Sequence, residues 1–573
     1  MRFHLAVLRA SSVVLAVTLL AAPAWAGWGT MPVTVRATSA AIPTVAACND
    51  GGYGTFVAWQ EEASAGSGQV RVLHLLPTGD LDPAWPADGA PACTRAAART
   101  TIAALPDHLG GVYLWWVETT TLYVTRLQPD GSAAAGWPVD GLSLGPISAA
   151  TDRPSAIEDA ANGIYLAWTT GMSVRAHHLG PNGLGAQGWP NTPRTVVPVD
   201  PTGSSIRLWP DLAPSPDGGI YLSWATWSLD TTMAESSMRL RRLTAAGLNA
   251  SGWPSEGLVL GPFRPEPLGQ MPRAPLLDIS PDGRGGVFVH AGVFEETMPF
   301  VDCRLYRLGS DGQTDPQWPA DGYLIKAGAT YYAGNPPGIA DAGLRVHSDL
   351  QGRAIVEYPN AYSDSPAMIG VSHVDNLGVV GWPKSVIAIG HEVVVRPDGG
   401  FYASDFKCCG PASQWDWPAM LGLHAEPDGA WSSYFDVHSE PVLSWYGDIA
   451  LASTGDGGVV YYWSQNNSSY GLFARRFNPT QEITAVGPRR PRFALRGVRF
   501  VSGSGVVAQA TSEGRASLEL FDLNGRRVSS RAIPGDGSGE VVLPGTASLS
   551  SGLYFVRLRD DDRVALGRIV ITR

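Results

Sequence analysis

The chain has 573 residues, with 67 glycines, 45 prolines, only 16% charged side chains and a formal net charge of -11. That length is too great for one compact core and calls for several domains or a repeat array, while so much glycine and proline excludes a scaffold of long helices. The acidic balance gives no general attraction to phosphate backbones or anionic lipid, which excludes nucleic acid as an expected partner.

Residues 1–26 read as a signal peptide. Arg2 and Arg9 place positive charge early, residues 13–22 form an apolar run, and Ala24 and Ala26 are the small residues of a cleavage point before Gly27. The run is shorter than the ~20 residues a membrane-crossing helix needs. The mature chain is therefore expected to be secreted or at the cell surface, with no membrane span.

Residues 27–486 are written on a repeat. TGDLDPAWPADG (78–89), DGSAAAGWPVDG (130–141), AGLNASGWPSEG (246–257) and DGQTDPQWPADG (311–322) share a frame in which glycine stands six residues before a tryptophan, proline follows it, and a second glycine comes four residues after it. Apolar runs such as VYLWW (112–116), IYLAW (164–168), IYLSW (220–224) and VVYYW (459–463) recur with the frame. Their spacing of about 58 residues is one supersecondary unit. Side chains alternate between two faces in these runs, as in a strand, and the Asp-Gly and Asn-Gly pairs at 130–131, 182–183, 217–218 and 311–312 fit hairpin turns. Four short strands per unit predict an all-β fold: a β-propeller of about eight four-stranded blades, with seven as the alternative. The last unit lacks its Trp-Pro turn and final strand, so GWGTMPVTV (27–35) is expected to supply that strand and close the ring.

The repeat tryptophans Trp85, Trp137, Trp189, Trp253, Trp318 and Trp382 are assigned to packing between a turn and the neighbouring sheet, with a ring of sugar platforms as the functional alternative. Trp227, Trp415 and Trp417 lie in longer segments outside the frame and are the ligand-binding candidates. Cys48 and Cys93 fall in the first repeat and form the candidate disulfide. Cys408 and Cys409, with His424 or His438, match no zinc spacing, so no metal or other cofactor is expected.

No phosphate-binding loop, dinucleotide fingerprint, zinc-protease helix or Gly-x-Ser-x-Gly elbow occurs, and no catalytic residue is assigned. Glu61, Glu62, Glu118, Glu295 and Glu296 follow strands and are the carboxylates a propeller enzyme would recruit. Glycoside hydrolysis would need two of them about 5 to 9 Å apart. They are read instead as solvated surface acids.

Proline and arginine mark residues 487–497 as a linker, and residues 498–573 change character. LELFDLNGRRV (518–528), LSSGLYFVRL (549–558) and GRIVITR (567–573) alternate as half-buried strands of an immunoglobulin-like β-sandwich. The same segments resemble the C-terminal sorting domains of bacterial type IX secretion and the related immunoglobulin-like domain of flagellar hook-capping (FlgD) proteins. The resemblance covers the last seventh of the chain and implies export across the outer membrane, with the tail recognised by the secretion machinery. The Pro-Asn-Pro opening common in such domains is replaced by GVRFVSGSG (497–505). The expected protein is an exported, non-catalytic propeller for binding or adhesion at the cell surface, taking a glycan or a surface protein. A propeller-fold glycosidase or lyase acting on polysaccharide is the alternative.

Overall fold

A computed structural model describes residues 28, 32–148, 154–159, 161–186, 188–203, 205–228, 237–262, 277–294, 300–330, 344–349, 352–359, 368–375, 385–388, 390–396, 399–407, 419–426, 435–439, 446–465 and 471–478 of the repeat region. In the tail it describes 493–501, 503–512, 516–522, 526–533, 537–559 and 564–571. Residues 1–26, read from the sequence as a signal peptide, lie outside these residues.

The described residues are all-β, with strands and no helix. From Val33 to Phe477 they form eight four-stranded antiparallel sheets, numbered here 1 to 8 in chain order of their first strands. Those first strands are Val45–Asn49, Arg99–Pro106, Ser155–Glu158, Ser205–Pro214, Leu277–Pro281, Arg345–Ser348, Gly390–Val395 and Tyr446–Ser453. Within sheets 1 to 7 the four strands follow one another in sequence. The recurrent apolar run is always the second strand. Its two faces are both covered, as in Val112–Glu118 and Val459–Gln465, because each sheet is stacked between two others.

First strands touch one another from sheet 1 through sheet 6, and from sheet 7 through sheet 8 back to sheet 1. Sheets 6 and 7 meet through Ser385–Ala388 and Phe401–Lys407. The succession therefore returns on itself, with the first strands innermost. The joint between its two ends is made by the segment expected from the sequence: Val33–Ala37 pairs antiparallel with Gly471–Phe477 and is the outer strand of sheet 8. A single apolar core runs across this joint. It combines Ala450, Tyr462 and Leu472 of sheet 8 with Val45, Trp59 and Val72 of sheet 1 and Val112 and Trp116 of sheet 2. Trp28 adds to it, its ring lying where a side chain on Gly79 would stand, 2.8 Å away.

The tail forms a three-stranded sheet (Phe493–Val501, Gly505–Ser512, Gly537–Val542) and a four-stranded one (Arg527–Ile533, Ala516–Phe521, Gly552–Arg559, Val564–Ile571). Val506, Ala508, Leu518, Leu520, Val556 and Leu558 close a common core between them. Strand Phe493–Val501 begins inside the segment read as a linker: Leu495, Arg499 and Phe500 pair with Ala510, Val507 and Val506 of the opposite strand.

Deleting residues 27–37 should leave Gly471–Phe477 as an open sheet edge, a template for intermolecular pairing. The expected outcome is a lower unfolding temperature and concentration-dependent association, read by light scattering against the otherwise identical chain.

Candidate functional site

The repeat tryptophans are joints. Trp85, Trp137, Trp189, Trp253 and Trp318 are each buried, with 4 to 6% of their surface exposed. Four of them donate the indole N–H to a carbonyl in the turn of the following sheet: Trp85 to Pro129 (2.8 Å), Trp137 to Pro181 (2.9 Å), Trp189 to Ala245 (2.9 Å) and Trp253 to Ser310 (3.0 Å). The glycine two residues after each of those carbonyls lies against the same indole. A Cβ on Gly131 would stand 2.8 Å from Trp85, and one on Gly247 2.6 Å from Trp189. Both glycines have positive φ, so the turn and the close approach each require the residue. The glycine that ends the frame does a second job. At Gly89, Gly141 and Gly257 a Cβ would run into the buried second-strand Trp59, Trp116 and Trp224 of the same sheet. Trp382 lies outside the described residues.

The carboxylates are clasps. Glu61 of sheet 1 accepts hydrogen bonds from Arg36 of sheet 8, Thr38 and Trp59. Burial opposes its ionisation, but these bonds outweigh it and hold the group below the usual glutamate range. Glu118 stands at the equivalent place in sheet 2 and is bound by Arg95 and by the fully buried Arg99 of the preceding strands. Glu62 accepts from Gln60 and from the Gly66 backbone. Glu61 and Glu118 are therefore not solvated acids: each is mostly buried and bound by arginine from the preceding sheet. Glu61 and Glu118 belong to separate stacked sheets, roughly 10 Å apart, and each is neutralised by arginine. Glu295 and Glu296 lie outside the described residues.

The candidate disulfide is absent. Cys48 and Cys93 are both buried free thiols. They lie on the first and fourth strands of sheet 1, three strand spacings apart, or roughly 14 Å, well beyond disulfide reach. Sharing a repeat placed them on one sheet but at its opposite edges. Cys408 and Cys409 lie outside the described residues. His438 pairs with Met420, four residues along the strand from His424, so the two histidines are about 13 Å apart by strand rise. Among the described residues no group of three or more His, Cys, Asp or Glu could hold a metal ion. Of the ligand-binding candidates, Trp227 lies on strand Ile220–Ser228 opposite Ile206, while Trp415 and Trp417 lie outside the described residues.

Two polar systems were missed in the sequence. The first is an aspartate five residues before the second strand, at the hairpin from the inner strand. Asp107, Asp159 and Asp282 each accept backbone N–H groups through Oδ1. Through Oδ2 they bind the third strand: Arg126 (2.7 Å), His178 and Arg307 (3.0 Å) respectively. Asp50 repeats the arrangement with His74 at 3.2 Å. The recurring spacing was visible, but its partner changes between Arg and His, which hides the pattern from a search for identical letters.

The second system lies on the innermost strands and joins one sheet to the next. Ser155 Oγ accepts the Leu212 N–H (3.2 Å), Asp211 Oδ2 the Ile279 N–H (3.0 Å), Asp278 Oδ2 the Val346 N–H (2.6 Å), and Asp448 Oδ2 the Val45 N–H (2.8 Å). An inner strand has no neighbour on its axial edge, so its backbone donors need these side chains. Ser155, Asp211 and Asp278 each stand four residues before the hairpin residue of their sheet, where sheets 1 and 2 carry Ala46 and Ala103. Asp211 and Asp278 stand on successive inner strands, and each is engaged by a backbone N–H of the next sheet.

Gly131→Ala should force a Cβ against Trp85 at positive φ and cost at least about 2 kcal/mol. Trp137→Ala should cost about 3–5 kcal/mol, and Trp137→Phe, which keeps a ring and loses the bond to Pro181, about 1–2. Urea unfolding of the three variants checks the order.

No family model matches the chain, and no curated protein matches it. Among solved structures it is similar to the Dos1 propeller, at 8% identity and TM-score 0.39, covering 76% of this chain and 92% of that one. It is also similar to the polysaccharide lyase Uly1, at 10% identity and TM-score 0.38, covering 64% and 88%. A third similarity is to the ulvan lyase of polysaccharide lyase PL25, at 10% identity and TM-score 0.38, covering 78% and 95%.

Proposed function

We propose that the repeat region is an eight-bladed β-propeller, exported by the signal segment 1–26, that serves as a non-catalytic binding or adhesion module at the cell surface. The observation that carries this reading is the use made of its chemistry-bearing side chains. Glu61, Glu118 and the described repeat tryptophans are residues a propeller enzyme or sugar platform would recruit, and each is engaged between neighbouring sheets. Recognition then falls to residues outside the repeat frame, Trp227, Trp415 and Trp417 foremost, with a surface glycan as the partner and a surface protein as the alternative. Incubating the purified mature chain with a glycan array should give selective binding that weakens at least about tenfold in a Trp227→Ala, Trp415→Ala, Trp417→Ala triple variant. Unchanged binding would remove those residues from the site, and shortening of a bound polysaccharide would replace the binding module with the enzyme reading.

We further propose that the tail is an immunoglobulin-like sorting domain read by the secretion machinery. Its support is the three segments 518–528, 549–558 and 567–573 and the two sheets they enter. Expression in a host with a type IX system should place the full chain at the cell surface and retain a chain lacking 498–573 in the periplasm. Equal surface display of both would leave the tail an accessory sandwich. No helix among the described residues is long and apolar enough to cross a membrane.

A further inference from the structure

We infer that sheet 4 holds, around Thr226, a binding site for a carboxylate supplied from outside the chain. Resting on the reading of the repeat region as a glycan-binding module, we assign that carboxylate to a uronate of an acidic glycan. The repeat itself shows what the site would take. In sheet 1, Glu61 stands two residues after Trp59, whose indole N–H it accepts (3.2 Å). Arg71, opposite Trp59 on the third strand, lies 3.8 Å from the same carboxylate. Glu118 has the same place two residues after Trp116 in sheet 2. In sheet 4 the arrangement recurs with Trp224 and, opposite it, Arg239, but the residue two after the tryptophan is Thr226. Threonine has replaced the carboxylate, while the residues that would bind one remain.

Arg207 stands opposite Thr226 on the first strand, and Ser237 opposite it on the third. Trp224, Thr226, Arg207 and Arg239 therefore share one face of the sheet, since residues two apart on a strand and residues directly opposite lie on the same side. Among the described residues neither arginine has an ion-pair partner. Arg207 Nη1 donates to Ser205 Oγ (2.7 Å), and Arg239 donates to Ser237 Oγ (3.1 Å) and the Glu256 carbonyl (2.9 Å). Two more donors on this face are buried and without a partner: the Trp224 indole N–H and the Thr226 hydroxyl, in residues 1% and 6% exposed. The acids whose charge reaches Arg207 are engaged elsewhere. Asp200 accepts from Thr202 and Ser205, and Glu256 is exposed, with Ser255 Oγ at 3.4 Å. Burial first, and the charge of Arg239 in addition, lower the Arg207 pKa against the pull of those two acids. Arg241 adds a third cation, 6.0 Å over the Trp224 ring. Arg207 and Arg239 are only half-buried, so a ligand can reach them. A planar carboxylate matches the guanidinium fork with paired N–H···O bonds, and it is the group the repeat places here in sheets 1 and 2. Sheet 3 also carries threonine at this position, Thr170, but its Trp168 N–H is already taken by the Pro146 carbonyl (3.1 Å).

The test places the full mature chain on an array of uronate-bearing, sulfated and neutral glycans together with polyglutamate. Wild type is compared with an Arg207→Gln, Arg239→Gln double variant and with Thr226→Glu. Binding should be confined to uronate-bearing glycans and weaken at least about tenfold in the double variant, which loses both cations. Thr226→Glu supplies the carboxylate from within, as Glu61 does in sheet 1. It should bind uronate at least about tenfold more weakly and unfold at a higher temperature than wild type, which also shows that the variant folds. Glycan binding that is equal in all three proteins, or that ignores the carboxylate, would leave the module a glycan binder and overturn the site. A preference for sulfated glycans or for polyglutamate would overturn the uronate assignment. If wild type binds no glycan, the glycan reading fails separately and the unfolding temperatures decide the carboxylate site. Thr226→Glu more stable than wild type then supports it, and equal or lower stability overturns it.

Discussion

The structure depends on one constraint: every sheet of the repeat region is apolar on both faces, so every sheet needs a neighbour on each side. Tyr113, Leu114, Trp115 and Trp116 run consecutively along one second strand and all are buried. A row of such sheets with free ends would leave two large apolar faces in water, and at about 25 cal/mol per Å² that exposure is worth far more than any single hydrogen bond. Closing the row removes both faces at once. The strand Val33–Ala37 then acts as a fastener: it ties the start of the chain to Gly471–Phe477 and lets one core span sheets 8, 1 and 2.

Apolar burial holds the sheets together without fixing their register, and the polar residues supply that. Each kind of polar contact works at its own radius. Near the axis Ser155, Asp211, Asp278 and Asp448 reach the bare backbone edge of the next inner strand. Further out, Tyr113, Tyr165 and Tyr221 donate their hydroxyls to the Asn162, Gly218 and Gly285 carbonyls of the next hairpin. At the periphery the indoles of Trp85, Trp137, Trp189 and Trp253 do the same for the turn after the third strand. A hydrogen bond contributes only about 1 kcal/mol net, yet a set of them at three radii admits a single relative placement of neighbouring sheets.

The sequence made the repeat, the four-strand unit and the closing segment legible because these are written in residues with narrow uses. Glycine at positive φ, proline after tryptophan and a two-faced apolar strand each have few structural meanings. The polar joints were less legible. Asp107 with Arg126 and Asp159 with His178 perform one task with different partners, 19 residues apart in both cases. The Cys48–Cys93 pairing failed for a related reason: membership of one repeat says nothing about which edge of the sheet a residue occupies, and four strands set the two thiols too far apart. The glutamates misled in the other direction. A carboxylate near a strand end looks solvated in one dimension, but stacking brings Arg36 or Arg95 from the preceding sheet onto it.

Departures from the repeat are informative because the repeat is otherwise so regular. At the inner position four residues before the hairpin, sheets 1, 2 and 8 carry Ala46, Ala103 and Ala450, while sheets 3 to 6 carry Ser155, Asp211, Asp278 and Arg345. Opposite them on the second strand, Ala58 and Ala167 give way to Ser223, His290 and Glu357. A ring held by apolar stacking alone would have no use for this change, since a buried polar group costs free energy unless it is bonded. The bonds it makes run from one inner strand to the next, and Asp448 of sheet 8 makes the same kind of bond to the Val45 N–H across the closing joint. Carboxylates therefore fix the placement of inner strands on both arcs of the ring, laid over alanine packing where sheets 8, 1 and 2 meet and over polar side chains where sheets 3 to 6 meet.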